Sequence, residues 1–516
     1  MPSHETDRTI EDGPLEKIEI SRDVSDEGPE NPELVIGLVS AVGTPLKLVQ
    51  QAIQERLGSY SYSAEVLRLS DYSQGFLLDV EDEESGEAGR IDAAMTRGND
   101  ARAKTGRNDI LALAGIADIQ NKRGNEPGPM PGRAFVLRQL KRPEEVQLLR
   151  RTYGEGFVLI GVFCRRSERK KNLQQDGVAP DRAEGLISRD EHEALMGGQA
   201  LRDTFHLADL FLEVGDDIGA VRRDLNRMLD LLFGLGISTP TLSEAGMFHA
   251  HAASLRSSQL GRQVGAALLT EDGDVISVGT NEVPRAGGGL YWEGDSDDAR
   301  DHRRGRDSSD EAKKEIVREI LEVLDEGWQE STPGEKQCLI YDRMQQLRGT
   351  RVMSLIEFGR AVHAEAESII SAARRGTATA NSDLYCTTFP CHVCAKHIVA
   401  AGVKSVTYIE PYPKSRALEL HDDSIALEDE EDGKVLFRPF VGVAPRAYGR
   451  VFSMIELDGG QIRRKDDDGA PIMDRARLRF RMPYLSALQR ESLVAKELME
   501  ITPKEGRNDP ETDAEH

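Results

Sequence analysis

Runs of apolar residues alternate with amphipathic segments along the first half of the chain. Residues 34–40 and 157–163 are strand-length apolar runs, whereas 144–149 and 217–233 have the spacing of helices that bury one face. Strands that alternate with helices predict an α/β fold, in which helices cover the faces of a largely parallel sheet. The pattern therefore places an α/β domain in the first half.

The second half opens with the pattern of a β-hairpin, in which Asp272 and Gly273 occupy a tight turn between two apolar segments. The segments that predict strands or helices here are 263–270, 275–280, 383–388, 391–401 and 404–409. The last three form a strand–helix–strand unit, which requires parallel strands and a right-handed crossover. A hairpin followed by such a unit predicts a mixed sheet.

Two short motifs are the most specific feature of the second half. His363-Ala-Glu365 opens an amphipathic segment, and Pro390-Cys391-His-Val-Cys394 follows one helix and one strand later. Together they form the H-x-E…P-C-x-x-C pattern of zinc nucleobase deaminases. Three ligands, His363, Cys391 and Cys394, leave a fourth position open for water, with the Glu365 carboxylate beside it. The pattern predicts a catalytic Zn²⁺ site.

Helix geometry restricts how these residues meet. His363 and Glu365 lie about 200° apart around a helix, so both reach one metal only where the helix N-terminus points at it. A second helix N-terminus at Cys391 would help to hold the cysteines as thiolates. Glu365 is then the proton shuttle for attack of water on C4 of cytosine. The alternative is a structural zinc site, with Glu365 as an ordinary first-turn carboxylate.

The chain resembles the deoxycytidylate deaminases and, more narrowly, the bacterial anti-phage dCTP deaminases. The segments that carry the narrower resemblance are 256–265, 287–292, 388–397 and 408–415. The resemblance implies a P-loop kinase-like N-terminal half and a deaminase-like C-terminal half. It also implies zinc-dependent deamination of dCTP, with dCMP also accepted, which drains the dCTP pool during infection. A homo-oligomer and an inhibitory RNA or protein regulator are further expectations.

Four residues are candidates for substrate binding. By resemblance, Asn281 at the end of the hairpin contacts the sugar or base, although Glu282 replaces the glycine that often follows it in that family. Thr387 belongs to the strand that leads into the cysteine turn and matches the same family. Arg262 and Lys414 lie at predicted edges of the sheet and are candidates for binding phosphate. Plain surface placement is the alternative for both.

The first half begins with a strand, a glycine turn and a helix, the arrangement that cradles phosphates in nucleotide-binding domains. Gly37, Gly43 and Thr44 are the candidate nucleotide-binding residues. The strict G-x-x-x-x-G-K-[ST] pattern is absent, and the nearest lysine, Lys47, is displaced into the helix. Nucleotide binding and a purely structural role both remain open. Residues 97–107 carry three further arginines, either a phosphate-binding set or an exposed polar surface.

These features divide the chain into four parts. Residues 1–31 form an acidic tail, 32–235 a P-loop kinase-like domain with a degenerate glycine turn, and 501–516 a polar tail. Residues 236–500 form the cytidine-deaminase-like α/β/α domain with a mixed sheet. An insertion at about 285–350 interrupts this domain and is a lid, an oligomer contact or a plain surface insertion.

Composition narrows the choice of substrate. Lys and Arg total 66 against 90 Asp and Glu, a net charge of −24. Bulk nucleic-acid binding, which depends on neutralising phosphates, is therefore not expected. An editing deaminase acting on RNA or single-stranded DNA is the alternative function, but it calls for a basic, aromatic channel. Five cysteines and no long apolar run or basic-then-apolar start predict a cytoplasmic protein without a membrane segment.

Overall fold

The structure is a computed structural model of the 516-residue chain. It describes residues 31–76, 86–124, 128–193, 200–412, 415–427, 431–455, 459–473, 476 and 478–501. Residues 1–30 of the predicted acidic tail and 502–516 of the predicted polar tail lie outside these ranges, as does Lys414.

Two six-stranded sheets are present in the described ranges. Their strands are β1 (Leu34–Ser40), β2 (Ser63–Arg68), β3 (Arg133–Leu140), β4 (Phe157–Phe163), β5 (Leu210–Glu213), β6 (Gly265–Leu269), β7 (Val275–Thr280), β8 (Asp383–Thr388), β9 (Ser405–Glu410), β10 (Ile425–Leu427), β11 (Val435–Pro439) and β12 (Gly442–Val443). The first sheet has the order β12-β5-β4-β1-β3-β2, and the second has the order β10-β11-β9-β8-β6-β7.

Helices surround both sheets. They are α1 (Leu46–Ser59), α2 (Glu87–Thr105), α3 (Ile110–Arg123), α4 (Pro143–Tyr153), α5 (Arg166–Gln175), α6 (Pro180–Glu193), α7 (Ala200–Phe205), α8 (Ile218–Leu232), α9 (Leu242–Ser254), α10 (Asp301–Arg304), α11 (Ser308–Leu324), α12 (Pro333–Gln346), α13 (Ala364–Arg374), α14 (His392–Ala400), α15 (Ala417–Leu420), α16 (Pro445–Phe452) and α17 (Tyr484–Ile501). Short 3₁₀ segments occur at Leu69–Phe76, Gly154–Gly156 and Val352–Ser354.

The first sheet is parallel from β2 to β5 and has the fully buried β1 near its centre. An unbroken apolar strand such as β1 suits this position because helices cover both of its faces. The α/β prediction for the first half is therefore confirmed. The narrower expectation of a P-loop kinase-like domain stays a prediction.

The second sheet is mixed, as the sequence predicts. Strands β6 and β7 form an antiparallel hairpin, and β6 also pairs antiparallel with β8. Strands β8 and β9 are parallel, with α14 as the crossover between them. This unit brings the cysteine-bearing turn after β8 beside the first turn of α13.

The C-terminal segment returns to the first sheet. Strand β12 pairs antiparallel with β5, and α17 packs on α3 and α4. The buried carboxylate of Glu244, in the predicted capping box at the start of α9, accepts hydrogen bonds from Arg227 and from the Val443 amide. One carboxylate therefore joins α8, α9 and β12, across the boundary that the sequence places at 235/236.

A second buried charge cluster holds α17 in place. The Arg123 guanidinium lies 2.8 Å from a Glu33 oxygen and 2.7 Å from a Glu491 oxygen, and all three side chains are at most 1 % exposed. Buried ions are retained only where they are paired and hydrogen-bonded. The pairing fixes the C-terminal helix to the start of β1.

The predicted insertion is largely helical. Helices α11 and α12 pack on each other around Val317, Leu321 and Trp328. The Thr332–Glu335 capping box begins α12. This small core gives the insertion packing of its own. None of the described helices is long and apolar enough to cross a bilayer.

Candidate active site

Two glycines allow helices to lie directly on the hairpin of the second sheet. A Cβ atom at Gly279 would lie 1.9 Å from the Ala364 carbonyl oxygen, and one at Gly265 would lie 1.9 Å from the Ala250 carbonyl oxygen. Helices α13 and α9 therefore approach β7 and β6 more closely than any side chain would permit. The approach at Gly279 sets the position of the first turn of α13.

The N-terminus of α13 carries the histidine and the glutamate. His363 is the residue that precedes the helix, in extended conformation, and Glu365 lies in the first turn. Cys391 occupies the equivalent position before α14, and its sulfur accepts a hydrogen bond from the Cys394 amide at 3.4 Å. Both helices thus direct their N-termini at one point, as the 200° separation of His363 and Glu365 requires.

The three predicted ligand atoms form a compact cluster. His363 Nδ1 lies 3.3 Å from Cys391 Sγ and 3.4 Å from Cys394 Sγ, and all three atoms lie within 4.8 Å of one another. A tetrahedral zinc ion with ordinary bond lengths separates its nitrogen and sulfur ligands by roughly 3.6 Å. The donor set and its spacing therefore fit a zinc ion.

Charge in the cluster also fits a cation. Hydrogen bonds from Cys394 and then from His363 lower the pKa of the Cys391 thiol to about 4. The same contact with the Cys391 sulfur raises the pKa of His363 to about 9, against the effect of burial. The hydrogen bond with the Cys391 sulfur, followed by burial, raises the pKa of Cys394. A divalent cation is the group that holds both sulfurs as thiolates.

Glu365 is the buried carboxyl beside this cluster, with 4 % of its surface exposed. Burial, followed by the negative charge on Cys391, raises its pKa to about 7. A carboxyl with a pKa near the working pH both accepts and donates a proton, which is the property of a general acid–base group. Its backbone carbonyl accepts a hydrogen bond from the Ser368 hydroxyl, 2.7 Å away, which helps to fix the first turn of α13.

Glu282 is a positioning residue that the sequence marked only as a departure from a family pattern. Its backbone pairs with Val362, next to His363, through hydrogen bonds of 3.2 and 3.0 Å. Its carboxylate is fully buried and accepts hydrogen bonds from the Ser258 amide and hydroxyl and from the Gln259 side chain. These bonds outweigh burial and lower the pKa of Glu282. The clue available in the sequence was the glutamate after Asn281, where the resembled family often has glycine.

Asn281 and Thr387 bind backbone groups of the loop before β6. The Asn281 amide donates to the Arg262 carbonyl at 2.8 Å and accepts from the Val264 amide at 2.7 Å. The Thr387 hydroxyl accepts from the Gly265 amide at 3.1 Å. Both residues therefore shape the loop that carries Arg262. Their proposed contact with substrate stays a prediction.

Arg262 forms an exposed ion pair with Glu410 at the end of β9. Tyr412 lies in the same loop region, and burial raises the pKa of its phenol. The Ser415 hydroxyl donates to the Pro390 carbonyl at 2.7 Å and so supports the cysteine turn. Lys414 lies outside the described residues, so the structure adds nothing to its proposed role.

The candidate nucleotide-binding residues lie in the first half, apart from the metal cluster. Gly37 is buried within β1, where a Cβ atom would lie 2.5 Å from Leu140 and 2.9 Å from Phe157. Gly43 has φ +85 and, with Thr44, lines a cavity of about 360 Å³. Packing within the sheet accounts for Gly37, whereas Gly43 and Thr44 border space that a ligand could occupy.

Part of the second half is similar to a known protein family. Residues 241–410 match the model of the cytidine and deoxycytidylate deaminase zinc-binding region. ComE operon protein 2 of Bacillus subtilis is 40 % identical over 53 residues, 10 % of this chain and 28 % of the relative. The deoxycytidylate deaminase of Enterobacteria phage T2 is 40 % identical over 55 residues, 11 % of this chain and 29 % of the relative. The chain thus spans less than a third of these curated relatives.

Solved structures match over a similar part of the chain. The dCMP deaminase of cyanophage S-TIM5 is 18 % identical and aligns over 39 % of this chain and 99 % of its own, with a TM-score of 0.21. A tRNA:A34 deaminase structure is also 18 % identical, over 38 % of this chain and 95 % of its own, with a TM-score of 0.18. The His363, Cys391 and Cys394 cluster lies within the residues that match the cytidine and deoxycytidylate deaminase zinc-binding region, and zinc is the cofactor that this match and this cluster support.

Proposed function

We propose that this protein is a zinc-dependent deaminase of deoxycytidine nucleotides, with dCTP and dCMP as substrates and the deoxyuridine nucleotides as products. The observation that carries the proposal is the buried Glu365 carboxyl beside the His363, Cys391 and Cys394 cluster. Zinc-binding deaminases of the matched family use this set of groups for hydrolysis at an amino-bearing carbon. Depletion of dCTP as a defence against phage is the biological role that we infer from the resemblance.

The reaction replaces the C4 amino group of cytosine with the oxygen of one water molecule and releases ammonia. Zinc, when bound, lowers the pKa of water toward about 7 and thereby supplies the nucleophile. Glu365 accepts the first proton of the water and delivers it to N3 as the oxygen adds to C4. It then takes the remaining proton from the new C4 hydroxyl and delivers it to the amino group, so that the C4–N bond breaks, ammonia leaves and C4 becomes a carbonyl carbon. One carboxyl with a pKa of about 7 performs both transfers because it is equally able to hold and release the proton.

Recognition of the nucleotide would come from the hairpin loop. Asn281 and Thr387 hold the loop that carries Arg262, and the Arg262 guanidinium is partly exposed beside the site. The positive charge of Arg262 favours a phosphorylated substrate over a bare nucleoside. The substrate phosphate would take the place of Glu410 on the Arg262 guanidinium.

The test is an assay of the purified full-length protein with its zinc content measured. The protein is incubated separately with dCTP, dCMP, deoxycytidine, CTP and a cytosine-containing single-stranded DNA, and uracil products are followed by chromatography. Product from dCTP or dCMP but not from the oligonucleotide supports the proposal. Product from the oligonucleotide alone would replace it with editing of nucleic acid. If the zinc-loaded protein formed no product from any of these substrates, the proposal that the isolated protein is a deaminase of deoxycytidine nucleotides would be contradicted.

A further inference from the structure

The cavity in the first half lies at the carboxyl ends of the parallel strands. Its volume is about 360 Å³, within the range of pockets that hold small molecules. The ends of β1, β2 and β3 form one wall, and helices α2 and α5 contribute the opposite walls. In open α/β sheets, ligands bind in the crevice outside the carboxyl ends of the strands. The position of the cavity is therefore that of a ligand site.

The lining is strongly cationic, although the chain carries a net charge of −24. Seven cationic side chains face three carboxylates in the cavity wall. The cations are Lys47, Arg68, Arg90, Arg102, Arg138, Lys141 and Arg142, and the carboxylates are Glu87, Asp176 and Asp190. Three of the cations are ion-paired, Arg90 with Glu87, Lys141 with Asp190 and Arg102 with Glu145. Cations remain in excess, and a low-dielectric concavity with an excess of one sign of charge concentrates ions of the opposite sign. The lining therefore favours an anionic ligand.

Arg68 and Arg138 form the centre of this charge. They are direct partners in the β2–β3 register, so two like charges stand opposite each other on neighbouring strands. Such a pair destabilises a sheet unless an anion compensates it. Among the described residues, Arg68 has one ion pair, with the exposed Asp71 at 3.9 Å. Within the same described ranges, the Nε atoms of both arginines are buried without a hydrogen-bond partner. Burial, followed by the charge of Arg68, lowers the pKa of Arg138.

The backbone beside these arginines is strained. Gln139 has φ +73, a conformation that is uncommon for a residue with a side chain. The β1–β3 register shifts at this residue, because Leu38 pairs with Arg138 whereas Val39 pairs with Leu140. Gln139 thus bulges out of the ladder and lines the cavity. Strain of this kind is concentrated at ligand sites, where the surrounding fold maintains it.

The glycine turn itself is already occupied by a side chain of the protein. The Asp190 carboxylate accepts a hydrogen bond from the Val42 amide at 2.8 Å and from Lys141 Nζ at 3.0 Å. Lys141 Nζ also donates to the Ser40 carbonyl at 3.0 Å. An amide at this turn and a nearby lysine are groups that would otherwise contact a phosphate. Asp190 therefore satisfies the turn internally and leaves the arginines as the anion-binding end of the cavity.

We propose that this cavity is a second ligand site that binds a small phosphorylated molecule, with its phosphate between Arg68 and Arg138. Arg90 also lines the cavity, where it is paired with Glu87. The remaining walls combine apolar side chains, such as Ile91 and Met95, with the amide of Asn99. Such a surface suits the uncharged part of a nucleotide-sized ligand. The proposal is independent of deamination, because none of these residues belongs to the zinc site.

Calorimetric titration of the full-length protein tests the site. The probes are inorganic pyrophosphate, dAMP and dATP, none of which carries a cytosine. We expect at least one probe to bind and the Arg68→Gln/Arg138→Gln double variant to bind it at least about tenfold more weakly, since each lost arginine removes charge-assisted hydrogen bonds. Tighter binding of dAMP or dATP than of pyrophosphate identifies a nucleotide. Equal binding of pyrophosphate identifies a ligand recognised by its phosphates.

The matched control is Arg222→Gln, which removes an exposed arginine paired with Glu55 elsewhere in the first half. It should leave the Kd unchanged. The single variant Arg138→Met provides a second readout that does not depend on the double variant folding. It should bind the probe more weakly and, because it relieves the repulsion from Arg68, have a Tm at least as high as the wild type. Absence of binding by every probe, or an unchanged Kd in the double variant, would overturn the proposal.

Discussion

The zinc cluster and the glycine turn of the first sheet are built alike but hold different partners. Each lies where a strand gives way to a helix N-terminus, after β8 at Cys391 and after β1 at Gly43. In the second half, three side chains converge and leave room for a cation. In the first half, Asp190 fills the turn and cationic side chains collect farther along the strand ends. The shared strand-to-helix geometry therefore does not determine which ligand binds there; the side chains that other elements contribute do.

The largest expected effect concerns Glu365. The substitution Glu365→Gln removes the proton shuttle while leaving every proposed zinc ligand in place. We expect kcat for dCTP to fall by about 10²–10⁴-fold, the usual contribution of general acid–base catalysis, with zinc content unchanged. Metal analysis and steady-state kinetics on the same preparation check this. Retention of most of the rate would assign the proton transfers to another group.

Substituting a proposed zinc ligand should instead reduce the zinc content of the protein, and the activity with it. In the Cys391→Ser variant, zinc should be lost to a chelator at concentrations at least about 100-fold lower than for the wild type, because one of three protein ligands is gone. Activity should follow zinc content. The matched control is Cys164→Ser, since Cys164 is buried in the first half and away from the cluster. A full complement of zinc in Cys391→Ser would exclude this sulfur as a ligand.

Glu244→Gln tests whether the two regions unfold together. The substitution weakens the charge-assisted hydrogen bonds that the Glu244 carboxylate accepts from Arg227 and from the Thr241 amide at the cap of α9, so we expect a loss of about 2–3 kcal/mol in the free energy of unfolding. Denaturation is followed by two probes, zinc release and loss of secondary structure. If both report one transition, and the substitution shifts its midpoint equally for both, the two regions unfold as one cooperative unit. Two transitions, of which only one shifts, would show that the halves are energetically separate.

The same carboxylate gives this stability a pH dependence. Burial alone would raise the pKa of Glu244, but the hydrogen bonds from Arg227 and from backbone amides outweigh it and hold the pKa below 4.5. The stabilisation is therefore complete above about pH 4.5 and is lost as the pH falls through the lower, folded-state pKa. Glu244→Gln should remove this part of the acid sensitivity. Denaturant titrations at pH 3.5 to 7 measure the difference.

Asp190→Ser should open the glycine turn of the first sheet to an external ligand, as the zinc cluster is open to a cation. Without the carboxylate, the Val42 amide and Lys141 become free to contact an anion at the glycine turn. We expect pyrophosphate affinity to rise by about tenfold, since a charge-assisted contact contributes roughly that factor. Calorimetric titration at two salt concentrations checks the effect, which should shrink at high salt. Unchanged affinity would mean that Asp190 does not occupy an anion site.

The smallest effect is expected at Arg262. Because it is exposed and paired with Glu410, Arg262→Gln should raise KM for dCTP by only about threefold, with kcat nearly unchanged. The control is Arg222→Gln, which removes another exposed arginine, paired with Glu55 in the first half. A loss in kcat without a change in KM would place Arg262 outside phosphate binding.

Sequence patterns predicted the local elements of both regions well. Strands β1, β4 and β8 have the bounds of their apolar or amphipathic segments, and the hairpin turns at Asp272 and Gly273. The role of Glu282 was not predicted, because its hydrogen bonds to Ser258 and Gln259 span more than twenty residues. The three arginines in 97–107 were considered as one phosphate-binding or exposed set. Instead, Arg102 is buried in an ion pair with Glu145.

The amino-acid sequence by itself determined the strands, the helices and the spacing of the zinc motif, because these depend on side-chain periodicity and on residues a few positions apart. Only the tertiary structure decided that Asp190 would fill the glycine turn, that Arg68 and Arg138 would face each other, and that the segment after Gly442 would return to the first sheet. These outcomes depend on which distant segments pack together. Hydrophobic burial drives that packing whatever the separation of the segments in sequence. Charged side chains that become buried are then stable only where they pair with an opposite charge or a ligand.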